Sequence, residues 1–81
     1  MELDTFINQF EEAIEGLEPG SVAGGSEFRR LEEWDSLAVL TVLAMVDEEY
    51  GVQVSGLDLE QCDTVEELYN RIVGKTGSGD D

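Results

Sequence analysis

Apolar residues recur at intervals of three and four in three segments of the chain, a spacing that puts them on one face of an α-helix. These stripes predict a first helix over about residues 3–17, a second over 36–50 and a last one from residue 65. The stripe positions are Leu3, Phe6, Ile7, Phe10, Ala13, Ile14 and Leu17, then Val39, Val42, Leu43, Val46 and Tyr50, then Val65, Leu68, Tyr69 and Ile72.

The residues between the stripes set the helix ends. Gly16, Pro19 and Gly20 stop the first helix, and residues 58–62 allow one short helical turn. The sequence Thr-Val-Glu-Glu at Thr64–Glu67 matches a capping box before the last helix. We therefore predict an all-α fold. It is a small four-helix bundle of three main helices and one short helix, with a long loop between helices one and two.

The long loop, residues 18–35, is rich in glycine and small polar residues, and loops of this length are often functional. Its large apolar residues are expected to hold it against the core. They are Phe28, Leu31 and Trp34. Arg29 and Arg30 are expected to compensate the charge of the neighbouring glutamates.

The charge balance excludes several classes of protein. Among 81 residues there are 20 acidic and 4 basic side chains and no histidine, so the net charge is −16. Nucleic acids and anionic membrane surfaces would repel such a chain. The single cysteine, Cys62, cannot form an internal disulfide and is predicted to be a small core residue, and there is no Cys/His cluster for zinc. With 41% hydrophobic residues, the chain can nevertheless form a core.

No targeting segment is evident. The N-terminal residues lack the basic start and apolar stretch of a secretory signal. The longest mainly apolar uncharged segment, residues 36–46, is too short to span a bilayer. We expect a cytoplasmic monomer that binds no metal and has no catalytic residues of its own, since no set of side chains forms a recognisable catalytic group.

Ser36 occupies the most informative position in the chain. It follows the long loop and Asp35, and it begins the second helix. A helix N-terminus offers free backbone N–H groups and a positive dipole end, which suit a phosphate ester, and it presents a hydroxyl on a rigid element. The alternative is that Ser36 is an ordinary N-cap, a role in which serine is common.

The second helix has a second apolar face. This face is formed by Leu37, Leu40, Thr41, Ala44 and Glu48, opposite the predicted core stripe. A small core does not need two such faces, so either a partner protein docks on this one or the long loop covers it. The pattern alone favours neither.

The chain resembles the acyl carrier protein family, the phosphopantetheine-binding four-helix carriers. The resemblance covers about residues 3–73 and includes the first amphipathic helix and the long loop. Its motifs are Trp34-Asp35-Ser36-Leu37, Asp47-Glu48-Glu49-Tyr50-Gly51-Val52 and Thr64-Val65-Glu66-Glu67-Leu68. We assign residues 1–74 to a carrier domain, and the polar Gly/Ser composition of residues 75–81 predicts a flexible C-terminal tail.

The resemblance also implies a function. Ser36 would receive 4′-phosphopantetheine from coenzyme A, and Asp35 would help to present the site to the phosphopantetheinyl transferase and its magnesium ion. The chain would then tether acyl groups as thioesters and deliver them to partner enzymes of fatty acid, lipid or polyketide-type biosynthesis. These loading, synthase or transferase enzymes would use basic patches to dock on the face containing Leu37, Leu40, Thr41, Ala44 and Glu48.

Two departures from the fatty-acid carriers matter. Glu33 stands where many of them have glycine, and the second helix has no charge from Ser36 to Val46. Both argue against a general role in fatty acid synthesis, and Trp34-Asp35-Ser36-Leu37 more closely resembles freestanding carriers of specialised pathways. An aminoacyl or peptidyl carrier is the alternative within the same chemistry, and an acidic helical adaptor, which carries nothing, is the alternative outside it.

Overall fold

The computed structural model describes residues 2–78, and within them every regular element is helical. The four α-helices are α1 (Glu2–Ala13), α2 (Ser36–Tyr50), α3 (Gly56–Glu60) and α4 (Val65–Ser78), and a short 3₁₀ turn spans Phe28–Arg30. The predicted all-α bundle is therefore confirmed. Within residues 2–78, none of the helices combines the length and apolar character that a membrane span needs.

The end of α1 differs from the prediction. α1 ends at Ala13, four residues before Leu17, because the chain turns through Gly16, whose φ of 98° lies in the left-handed region. Leu17 still packs against the core from this turn. α4 extends through Ser78, and the division into a carrier domain over residues 1–74 and a tail over 75–81 stays a prediction. Residues 79–81 lie outside the described residues, and the flexibility of the tail stays a prediction.

One core joins α1, α2 and α4. All three predicted stripes contribute to it, with partly buried members at its edge, and Cys62 is buried as predicted. The fully buried side chains include Phe6 and Phe10 from α1, Val42 and Val46 from α2, and Val65, Leu68 and Ile72 from α4. The side chains that pattern reading missed are Ala38, Val22 and Leu59, all buried.

The long loop is fastened to the bundle at three places. At its start, the buried carboxylate of Glu11 accepts hydrogen bonds from the backbone N–H groups of Gly20 and Val22, both at 3.0 Å. In its middle, the carbonyls of Gly24 and Ser26 accept from the first N–H groups of α4. These groups would otherwise lack partners, as they do at any helix N-terminus.

At its end the loop is fastened by aromatic side chains. Phe28 is fully buried, and Leu31 and Trp34 pack against the core, as predicted. Phe28 meets Trp34 edge to face with ring centroids 5.1 Å apart, and Trp34 stacks on Phe10 at 6.2 Å. This packing fixes the backbone immediately before α2.

Helices α3 and α4 begin with different caps. Ser55 and Asp58 form a reciprocal capping box at α3. At α4, Thr64 accepts from the Glu67 N–H at 3.2 Å, but the Glu67 carboxylate accepts from the N–H of Asp63 rather than of Thr64. The predicted capping box is therefore only half formed there, because the Glu67 side chain reaches one residue further back.

Every basic side chain of the protein pairs with a carboxylate. Arg30 pairs with Glu27 at 2.8 Å, as predicted, and Arg71 and Lys75 both face Asp58. The prediction for Arg29 is wrong, since Arg29 reaches across to Asp63 at 2.9 Å and to the carbonyl of Cys62. The loop and α4 therefore carry all the compensating positive charge, and α1 and α2 carry none.

The carboxylate of Asp58 contacts three residues, Ser55, Arg71 and Lys75. Hydrogen bonding from the Ser55 N–H lowers the pKa of Asp58 from its ordinary value, and the charges of Lys75 and Arg71 act in the same direction against the opposing effect of burial. Asp58 thereby ties the short helix α3 to α4.

Candidate functional site

Asp35 is the N-cap of α2. Its backbone is extended and its Oδ1 accepts a hydrogen bond from the N–H of Ala38 at 2.8 Å. Ser36 is therefore the first helical residue, and the interpretation of Ser36 as an ordinary N-cap is wrong. Asp35 takes that role because its backbone is extended, whereas Ser36 already has helical backbone geometry.

The capping by Asp35 leaves the hydroxyl of Ser36 uncommitted. Ser36 is exposed, and its side chain makes no hydrogen bond with any residue between 3 and 75. The first turn of α2 contains no acidic residue. An exposed hydroxyl beside free helical N–H groups fits a phosphate ester, whose charge those N–H groups would favour.

The other serines with described side chains are engaged locally. The hydroxyl of Ser21 donates to the carbonyl of Glu18 at 2.6 Å, and that of Ser26 accepts from the Ala23 N–H at 2.9 Å. Ser55 belongs to the capping box of α3. Ser36 is thus the serine of residues 2–75 whose hydroxyl remains available.

The second apolar face of α2 lies open to solvent. Leu37 and Leu40 are each 64% exposed, Ala44 and Glu48 are exposed, and Thr41 is partly buried with its hydroxyl donating to the carbonyl of Leu37. The alternative that the long loop covers this face is therefore wrong. The loop instead packs on Phe10 and on the start of α4.

Sequence reasoning missed Glu11, which does not touch Ser36 but fixes the loop that leads to it. Glu11 lies outside the apolar stripe of α1, and nothing in the sequence distinguishes it from the other acidic residues of that helix. The signal that could identify it is its position one residue after Phe10, next to the apolar face. That position alone does not reveal the backbone N–H groups that it meets from Gly20 and Val22.

Replacement of the cap tests this account of the α2 start. Asp35→Ala is expected to lower the free energy of unfolding by about 1 kcal/mol, because the Ala38 N–H loses its acceptor. Asp35→Asn, which keeps an acceptor, is expected to lose only a few tenths of that amount. Denaturant unfolding followed by the fluorescence of Trp34, the single tryptophan, measures both. Equal losses in the two variants would contradict the capping role.

Comparison with known proteins places the chain in a family. The family model for the phosphopantetheine attachment site matches residues 7–72, most of the chain. Searches of curated proteins and of solved structures gave no significant match.

The properties of the family follow for this chain. Its domains are carriers rather than catalysts, they hold a covalently attached 4′-phosphopantetheine group, and they interact with a phosphopantetheinyl transferase and with partner enzymes. The resemblance found in the sequence is thereby confirmed, in preference to an acidic adaptor that carries nothing. The chain belongs to the family of phosphopantetheine-binding carrier proteins.

Proposed function

We propose that this protein is an acyl carrier protein in which Ser36 is the attachment residue for 4′-phosphopantetheine. The observation that carries the proposal is the exposed, unpartnered hydroxyl of Ser36 at the first position of α2. Within the matched residues, the hydroxyls of Ser21, Ser26 and Ser55 are already engaged in turns and caps.

The chemistry asked of Ser36 is simple. Its Oγ forms an ester bond to the pantetheine-side phosphorus of coenzyme A, and the bond from that phosphorus to the bridging oxygen of the pyrophosphate breaks. The nucleotide leaves as adenosine 3′,5′-bisphosphate, and the serine proton is released to solvent. The free N–H groups at the start of α2 then lie next to the new negative charge. When bound, the group supplies a terminal thiol that holds cargo as a thioester.

Asp35 is proposed to support the modification in a second way. One of its carboxylate oxygens, Oδ1, is used by the helix cap, and the side chain is exposed. The other oxygen makes no hydrogen bond within residues 3–75, so it is available to a magnesium ion brought by the transferase.

The open face of α2 is proposed as the docking surface for partner enzymes. Leu37 and Leu40 supply exposed apolar area close to Ser36, and Thr41, Ala44 and Glu48 continue the face along the helix. Partner enzymes with basic patches would be steered to this surface by the acidic protein.

The acyl nature of the cargo rests on the resemblance of the Trp34–Leu37 segment to freestanding carriers and on the strong acidity of the chain. We assign it to a specialised lipid or polyketide-type pathway. The mass of cargo released from protein isolated from its source tests this assignment. A fatty or polyketide acyl group is expected, and an amino acid or peptide would favour an aminoacyl or peptidyl carrier without affecting the role of Ser36.

The attachment itself is tested by intact mass. Incubation with coenzyme A, magnesium and a phosphopantetheinyl transferase of broad specificity is expected to add the mass of one phosphopantetheine group to the protein. Fragmentation of the modified chain is expected to locate that mass on Ser36. Modification at Ser55, which lies on the same tryptic peptide, or no gain with several transferases, would contradict the proposal.

A further inference from the structure

An open groove of about 310 Å³ runs between α1 and α2. Its apolar lining comes from Ala13 of α1 and from Ala44 and Met45 of α2, of which Ala13 and Met45 are partly buried. Its acidic lining comes from Glu12, Glu48 and Glu49, all exposed. The groove therefore combines a small apolar surface with carboxylates from both helices.

The negative charge of the groove is not compensated within the chain. Glu12 and Glu48 have neither an ion pair nor a hydrogen bond with any other described residue. Glu49 accepts only a long bond, 3.4 Å, from the amide of Gln9, which in turn accepts from the Tyr50 hydroxyl at 2.6 Å. The basic side chains are occupied elsewhere, on the loop and on α4.

These charges decide which occupant the groove can take. A second copy of the chain would bring another net charge of −16, and any polyanion would be repelled in the same way. A metal ion is not favoured either, since no group of three or more ligating side chains suited to a metal occurs in the described part of the chain. A cationic segment of another protein matches both the carboxylates and the apolar lining.

We infer that the groove between α1 and α2 extends the docking surface and takes a cationic partner segment carrying one apolar side chain. The apolar side chain lies against Ala13, Ala44 and Met45, and lysine or arginine residues beside it face Glu12 and Glu48. The inference rests on the proposed carrier function, because Ala44 and Glu48 also belong to the proposed docking face. It adds α1 to the surface that partners recognise.

A titration with a defined peptide tests the inference. The probe is a synthetic amphipathic helix of lysine and leucine, and the same helix with glutamate in place of lysine is its control. In the isotopically labelled full-length protein without the prosthetic group, the lysine peptide is expected to shift the amide NMR signals of residues 12–13 and 44–48 in a saturable way. The glutamate peptide is expected to shift none of them.

Matched variants separate the groove from general acidity. The double variant Glu12→Gln/Glu48→Gln is expected to weaken peptide binding roughly fivefold, because two exposed ion pairs with lysine residues of the peptide are lost. Glu32→Gln/Glu66→Gln removes the same charge from exposed positions that do not line the groove and is expected to bind as the parent does. Equal weakening in the two double variants, or saturable shifts that map only to other faces, would overturn the inference.

One further variant distinguishes the effect of negative charge from that of the shape of the groove. Ala44→Glu adds a carboxylate but fills the groove, so weaker binding of the lysine peptide is expected. Tighter binding would show that charge alone attracts the peptide and would also overturn the inference. The failure of this inference and that of the proposed function are distinguishable, because the titration uses protein without the prosthetic group and the mass measurement depends on Ser36.

Discussion

Ser36→Ala is expected to abolish attachment of 4′-phosphopantetheine completely while leaving the fold intact. The substitution removes the proposed ester-forming oxygen, and no other described hydroxyl stands exposed and unpartnered at the start of a long helix. The stability should change by less than about 0.5 kcal/mol, because the side chain is exposed and makes no described hydrogen bond. Intact mass after incubation with coenzyme A, magnesium and the transferase measures the first effect, and denaturant unfolding the second.

Ser21→Ala is the matched control. Ser21 is also exposed and lies within the residues that match the family, but its hydroxyl donates to the carbonyl of Glu18. This variant should gain the same mass as the parent protein. If Ser36→Ala still gained the group, or if Ser21→Ala lost it, the assignment of Ser36 would be untenable.

The bounds of α2 could be predicted to the residue because local signals mark both ends. Asp35 and Ser36 are residues typical of helix starts, and Gly51 adopts the left-handed backbone, φ 69°, that glycine allows at a helix end. The core stripes of all three long helices could be predicted for a similar reason. Periodicity records which face is buried, and each stripe depends on neighbours only one turn away.

The details that sequence reasoning missed depend on partners distant in the chain or on side-chain reach. The pairing of Arg29 with Asp63 joins the loop to the start of α4, and nothing in the local sequence distinguishes it from pairing with a nearby glutamate. Whether Asp35 or Ser36 is the cap depends on whether the helix begins at residue 36 or at residue 37. Both residue types suit either position, so only the backbone geometry decides.

The candidate site was predictable in its location but not in its surroundings. The order of long loop, Asp35 and Ser36 identifies the helix start, and the family match covers it. Whether the second face of α2 is covered could not be predicted, since an amphipathic pattern does not say where an eighteen-residue loop packs. The structure answers this through Phe28 and Trp34, which turn the loop onto Phe10 and leave Leu37 and Leu40 exposed.

Among alanine substitutions of the acidic residues of α1, Glu11→Ala is expected to be the most destabilising. It should lower the free energy of unfolding by about 2–3 kcal/mol. Its carboxylate is buried and accepts hydrogen bonds from two backbone N–H groups of the loop. Hydrogen bonds to charged groups contribute about 1.5–3 kcal/mol each, and the variant regains part of this because it no longer buries a carboxylate. The alanine variant leaves the N–H groups of Gly20 and Val22 without this acceptor. For a domain of this size the loss is a large fraction of the total stability.

Glu12→Ala is the control that the neighbouring position provides. Glu12 has the same side chain on the same helix, but it is exposed and has no described partner, so its replacement should change stability by less than about 0.5 kcal/mol. Glu11→Gln keeps an acceptor of nearly the same shape and should fall between the two. Because the loop leads directly to Ser36, loosening its start should also slow the transfer of phosphopantetheine in Glu11→Ala under conditions where the protein remains folded. Equal stability of Glu11→Ala and Glu12→Ala would mean that the aromatic contacts of Phe28 and Trp34 hold the loop without the carboxylate.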